Sequence, residues 1–254
     1  MHAIWMTVFY NPLYNLLIGL TSIIPGHDVG IALIALTILV KIALFPIARK
    51  SIRSQVALKN LEPEIKKIKE NYPDKQEQAK RTFELYKINK VNPFSGCILI
   101  LIQLPIIFAL YFVFLKGLHP GGPRENLYSF TPSPGAFNLM FLGILDLAAK
   151  SKVLALLAGL SQFFQVRIAT PSTLPPKDPS KKETFGENLA RSMNIQMRYI
   201  LPVFIAFVAY NVSAAIALYW TASNVVAIIQ EILVRRKLKH SNTITVKAYE
   251  QPKN

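Results

Sequence analysis

Lys41 is the residue of this chain whose type and position most call for a task, because it is the only charge in the apolar run Gly30 to Ala48 (GIALIALTILVKIALFPIA). A run of that length crosses the hydrocarbon core of a bilayer, where an ammonium costs about 2.5 to 3.5 kcal/mol on insertion scales. Two readings compete. In one, the lysine snorkels to the nearer interface. In the other, it stands in a water-filled cavity and attracts negative charge. Helix side chains lean toward the helix N-terminus, so with that end outside, Lys41 leans into the membrane and away from its nearer, cytoplasmic end. That geometry favours the cavity. Bond-making chemistry has little support. There is no G-x-x-x-x-G-K-[ST] loop, no H-E-x-x-H and no G-x-S-x-G. Cys97 is alone, and His2, His27, His119 and His240 lack metal-ligand spacing. No catalytic residue, cofactor or metal is expected.

The elements that must hold Lys41 are apolar stretches. Half the residues are apolar (52%) while the formal charge is +15, a pairing seldom met in soluble domains and common in membrane proteins with basic loops. Stretches at about 30–48, 93–115 and 152–170 each suffice for one crossing. The tract Tyr199 to Val234 would extend about 54 Å as one helix, well beyond a core of about 30 Å. It divides most naturally near Tyr210-Asn211-Val212-Ser213 into spans at about 197–212 and 214–234. The fold class expected is an all-α integral membrane protein with five transmembrane helices, the last two barely long enough and favouring a locally thinned bilayer.

Basic residues set the orientation. Residues 1–40 contain no lysine or arginine, whereas Arg49 to Lys90 contains twelve, Arg167 to Arg198 six, and the part after Glu231 six more. In a five-span arrangement these three regions share one side, which the positive-inside rule makes cytoplasmic, with the N-terminus outside. Residues 1–28 contain a helical stripe (Phe9, Leu13, Leu16, Leu17, Leu20, Ile24) with Asn11, Asn15 and Ser22 elsewhere on the wheel, the pattern of a helix lying in the outer interface. A sixth span is the competing reading. Neither a removable signal peptide nor an Arg- and Ser-rich transit segment is evident, which favours a bacterial inner (plasma) membrane.

Residues 49–91 are highly charged, with a break at Asn71-Tyr72-Pro73-Asp74. Ile52, Val56, Leu61, Ile65 and Ile68 recur at mostly helical spacing before it, and Phe83, Leu85, Tyr86 and Ile88 less regularly after it. The pattern predicts a cytoplasmic helical hairpin; a solvated loop that only fixes topology is the alternative. Asn92 followed by Pro93 is a good start for the second span. Residues 239–254 read as a basic tail suited to topology and lipid attraction more than to a specific RNA.

Three segments, in order, resemble the YidC family of membrane-protein insertases, which includes mitochondrial and chloroplast relatives. They are LTILVKIALFPIARKS with the following hairpin (Glu84-Leu85-Tyr86-Lys87), VNPFSGC running into LIQLPIIFALY, and ALYWTASNVVAIIQ. The likeness runs over roughly residues 8–238. It implies five helices around a hydrophilic groove open to the cytoplasm and the lipid and closed to the outside. In relatives the position matching Lys41 is commonly arginine; lysine keeps a positive charge but lacks the planar five-donor fork. Beside Lys41 the resemblance places Thr37, Gln103, Gln162, Tyr219 and Trp220 as groove residues. Each has a structural alternative: Thr37 bonded to its own helix backbone, Gln103 and Gln162 holding helices together, Tyr219 and Trp220 in an aromatic belt.

The function expected is insertion and chaperoning of nascent membrane proteins, without enzymatic chemistry. The partners are those nascent chains and the lipid bilayer, with a Sec translocon and the ribosome as further candidates and no DNA. The alternative is a small channel or transporter with Lys41 in its pore, although the internal repeat common in transporters is not seen.

Overall fold

Pro46 cuts the first apolar run short. The structure, a computed structural model, describes residues 5–92, 95–118, 126–132, 136–169, 192 and 194–240, and these are mostly helical. α1 (Asn11–Ile23) carries Pro12 in its first turn and is extended backwards by a wider helical turn, Met6–Tyr10. A one-turn corner at Pro25–His27 leads to α2 (Val29–Ala43), and α3 (Phe45–Asn60) follows at a bend of 61°. The helix expected through Ala48 therefore ends at Ala43. Proline lacks the N–H needed for the ladder, and its ring crowds the carbonyl four residues back.

α3 leads through Leu61 into α4 (Glu62–Asn71), and the chain turns over Tyr72, Pro73 and Asp74 into α5 (Lys75–Ile88). The Asp74 carboxylate caps α5 by accepting the Glu77 N–H at 3.0 Å. Leu61, Ile68 and Leu85 form a small core, with Ile65, Tyr72, Tyr86 and Val91 packed on it. Phe83 and Ile88 stay exposed. A pair of helices can bury only the faces that meet, which accounts for the irregular apolar spacing after the break.

α6 (Ser95–Phe112) ends in a second wide turn, Val113–Gly117, and is tied to α3 where Ser51 Oγ donates to the Ser95 carbonyl at 2.9 Å. Pro93 lies outside the described residues. α7 (Lys152–Ala169) precedes a stretch, 170–191, also outside them. It includes most of the basic residues expected between Arg167 and Arg198. A wide turn, Gln196–Ile200, then leads into α8 (Leu201–Asn211). α9 (Ala214–His240) is 27 residues long, so it runs past the expected end at 234. The basic tail from 241 onward is outside the described residues, as are His2, His119 and Arg124.

The segment between α6 and α7, for which the sequence pattern predicts no element, forms an antiparallel pair, β1 (Met140–Phe141) and β2 (Leu145–Asp146). It fastens the starts of α2 and α9. Val29 N donates to Asn138 O (3.0 Å) and Asn138 N to His27 O (3.1 Å), while Ala214 N and Ala215 N donate to Ala149 O and Leu147 O. Gly30 makes this approach possible, since a Cβ there would lie 2.3 Å from the Phe141 ring. Asp28 is the pin. One oxygen accepts Gly30 N (2.7 Å) and Ile31 N (3.1 Å) as the N-cap of α2, and the other accepts Leu142 N (2.8 Å) from the strand pair. Asp28→Ala is expected to cost about 1–3 kcal/mol, read as a lowered unfolding temperature of the purified protein in detergent.

The buried face of α1 is rotated from the expected stripe. Leu13, Tyr14, Leu17, Ile18 and Thr21 are buried, Leu16 is exposed, and Asn15, which the wheel placed on the polar side, is buried. Its amide is fully used. Nδ2 donates to the carbonyls of Asn11 and Asn126 (2.8 Å each), and Oδ1 accepts Tyr128 N (2.7 Å) and the Thr131 hydroxyl (2.9 Å). An asparagine with every donor and acceptor paired can be buried at little cost, which polarity patterning alone does not register.

One large core joins α1, α2, α6, α7 and the start of α9. Outside it, Ile42, Leu101, Phe108, Leu156, Phe164, Val203, Phe207 and Leu233 are all exposed. So much outward apolar surface spread over five helices suits hydrocarbon and not water. Among the described residues, Lys152–Ala169 and Ala214–Lys239 are long and apolar enough to cross a membrane, the bent α2–α3 pair qualifies as a third span, and Leu101–Gly117 is a shorter apolar helix.

Candidate functional site

The end of α2 at Ala43 puts Lys41 in the last helical turn, where backbone carbonyls have lost their intrahelical donors. Gln230 of α9 supplies one, its Nε2 donating to the Lys41 carbonyl at 2.9 Å. The side chain of Lys41 points to α6, where Nζ donates to Gln103 Oε1 at 3.2 Å. Gln103 Nε2 donates in turn to the hydroxyl of Tyr219 on α9. Tyr219 is buried, and Ser223, also buried, lies one turn further along α9. Three helices thus converge on one lysine through neutral polar groups.

Of the residues expected beside Lys41, the structure unites Gln103 and Tyr219 with it. Thr37 is one turn away and buried, but its hydroxyl donates to the Leu33 carbonyl at 2.7 Å, within its own helix. Gln162 bonds Gln165 on α7 (3.4 Å) and does not extend the cluster to that helix. A long side chain on a helix surface finds a neighbour three residues away as readily as one across the bundle. Trp220 is half-buried against the large core.

Other polar contacts between the helices are not anticipated from the sequence. Asn224 Nδ2 donates to Ser161 Oγ at 3.1 Å, joining α9 to α7. Farther along α9, Glu231 pairs with Arg235 (2.6 Å), whose Nη2 donates to the Ala169 carbonyl (3.1 Å) at the end of α7. A signal did exist. Tyr219, Ser223 and Gln230 recur at intervals of four and seven, and Asn224 and Glu231 at seven, so two polar seams run along an otherwise apolar helix.

Among the described residues, no carboxylate pairs with Lys41. An ammonium has three donors and no acceptor, and Gln103 takes one of them. The Gln103 amide, steadied by the Tyr219 phenol, solvates the charge without cancelling it, so the site is able to draw in an anion. Nothing in the cluster constitutes a nucleophile with its base, and no group of His, Cys, Asp or Glu among the described residues could hold a metal ion.

Comparison with known proteins gives this geometry a family. A family model described as 60Kd inner membrane protein matches residues 20–242. The chain is 32% identical over 219 residues to a membrane protein insertase YidC of Clostridium tetani, covering 85% of this chain and 86% of that one. It is 32% identical over 238 residues to the membrane protein insertase YidC of Fusobacterium nucleatum, covering 91% and 99%. The membrane protein insertase YidC of Ruegeria is 33% identical over 249 residues but longer, and the match covers 37% of it. With the family model spanning most of its length and such relatives aligned nearly end to end, the chain belongs to the 60Kd inner membrane protein family, that of the YidC insertases.

Proposed function

We propose that this protein is a membrane-protein insertase and chaperone in which Lys41 lies in a partly hydrated groove, drawing short polar segments of nascent membrane proteins into the bilayer. The observation that carries the proposal is a cation at the meeting of α2, α6 and α9, held by the neutral Gln103, itself bonded to Tyr219, and not neutralised by any carboxylate among the described residues. In this reading α2, α6, α7, α8 and α9 are the five spans, the N-terminus faces outward, and the groove opens to the cytoplasm and the lipid. An acidic residue of the incoming tail is attracted by Lys41, while the apolar part of the client leaves along the exposed faces of the helices. Binding is weak, because release must follow.

Short spans assist. α2 has 15 residues and α8 has 11. At about 1.5 Å per residue, α2 extends about 22 Å against a core of about 30 Å, a mismatch that thins the surrounding bilayer and shortens the apolar path. The α4–α5 hairpin on the cytoplasmic side receives clients, a Sec translocon or the ribosome acts alongside, and the basic tail holds to anionic lipid. Thr37, Gln162 and Trp220 have a secondary place as groove lining.

Proteoliposomes carrying the purified chain provide the test. A single-span substrate with a short acidic tail is expected to insert faster than into protein-free vesicles, with no selective ion flux. No gain in insertion, accompanied by selective passage of small ions, would replace this reading with a channel that has Lys41 in its pore.

A further inference from the structure

The loop joining β1 to β2 is built in a costly way for a surface turn. Leu142 and Gly143 both have positive φ (54° and 71°), with Ile144 N donating to Phe141 O at 3.1 Å. Glycine suits such a position, and asparagine or aspartate is the usual substitute; a leucine there is strained, because its Cβ crowds the backbone carbonyl. The side chain gains no packing in return. Leu142 is 60% exposed and Ile144, beside it, is 83% exposed. Phe141 and Leu145, at the base of the loop, pack against the large core, so the apolar tip is not a hairpin facing the wrong way.

The depth of this tip is fixed. Leu142 N is held 2.8 Å from the carboxylate of Asp28, which is also the N-cap of α2. In a membrane-inserted chain the end of an apolar helix lies at the boundary between headgroups and acyl chains, and a tip tethered there meets that boundary. We propose that the Leu142–Ile144 tip inserts into the lipid interface beside the start of α2, anchoring the strand pair that fastens α2 and α9. The occupant of this apolar surface is lipid, because the exposed apolar flank of α2, beginning at Ile31, adjoins the tip at the same end of the helix. The inference rests on α2 being a span.

Environment-sensitive probes on single cysteines in a Cys97→Ser background test it in proteoliposomes. A probe at Ile144→Cys is expected to emit to the blue of one at the exposed Asp146→Cys and to be quenched by lipids spin-labelled near the headgroup. A third probe, at Val203→Cys on the outward face of α8, reports whether the helices themselves are in lipid. If the position-203 probe reports lipid while those at 144 and 146 are equally quenched by aqueous iodide, the tip proposal fails alone. If all three report water, the membrane arrangement fails and the tip proposal with it.

Discussion

Lys41→Glu is expected to lower the initial rate at which an acidic-tailed substrate inserts by about a hundredfold, with Lys41→Ala at about tenfold and Lys41→Arg within about threefold of the parent. A hydrogen-bonded contact to a charged group contributes about 1.5–3 kcal/mol, and about 1.4 kcal/mol corresponds to a factor of ten, so loss of the attraction and its replacement by repulsion are each worth about tenfold. The surroundings of Lys41 make the series clean. The Gln103 amide has an acceptor and a donor end and can turn its Nε2 toward a carboxylate, while the Tyr219 hydroxyl can donate as well as accept. Charge reversal is therefore accommodated without an orphaned polar group, and unfolding temperatures should stay close to the parent's.

A basic-tailed substrate provides the control that stability effects cannot mimic. With it the ranking should invert, the glutamate variant becoming the fastest. Equal rates for all four proteins with the acidic tail would remove the electrostatic part assigned to Lys41.

Gly159→Leu is the second large effect, and it acts through packing. A Cβ at Gly159 would lie 2.7 Å from Ala206 Cβ and 3.1 Å from the Pro202 carbonyl, so α7 and α8 cross with almost nothing between their backbones. In lipid, helices gain little from hiding apolar surface and depend on such close contact between small residues. Forcing a leucine into the crossing is expected to cost about 1–3 kcal/mol and, by displacing α8, to abolish insertion. Gly159→Ala should fall between, since it needs only a small separation of the helices. Combining Gly159→Ala with Ala206→Gly should restore most of the loss, because the shorter of the two clashes then disappears. Additive losses in the double variant would show that the contact does not limit stability.

The apolar stretches were legible because lipid imposes a simple demand, about twenty residues without charge, and periodicity with a Tyr-Pro-Asp break was enough to mark α4 and α5. Pro46 was equally visible, yet the run Gly30 to Ala48 reads as continuous to any hydropathy window. Only the 61° bend showed that apolar character and helical continuity are different properties. Asn15 failed in the opposite sense: counted as polar surface, it is buried because segment 126–131 returns to satisfy it.

By itself the sequence determined that this is a helical membrane protein with a stray cation, since composition, charge distribution and run lengths are properties of single segments in a given solvent. Which of the candidate side chains reach Lys41, and which bond elsewhere, was decided by the tertiary structure. Gln103 reaches Lys41 across 62 positions of chain and Gln230 across 189, whereas Gln162, an equal candidate by type, settles on Gln165 of its own helix. Hydrogen-bond partners depend on distances of a few tenths of an ångström between helices, and those follow from how Gly30, Gly159 and Pro46 let the backbones approach or turn.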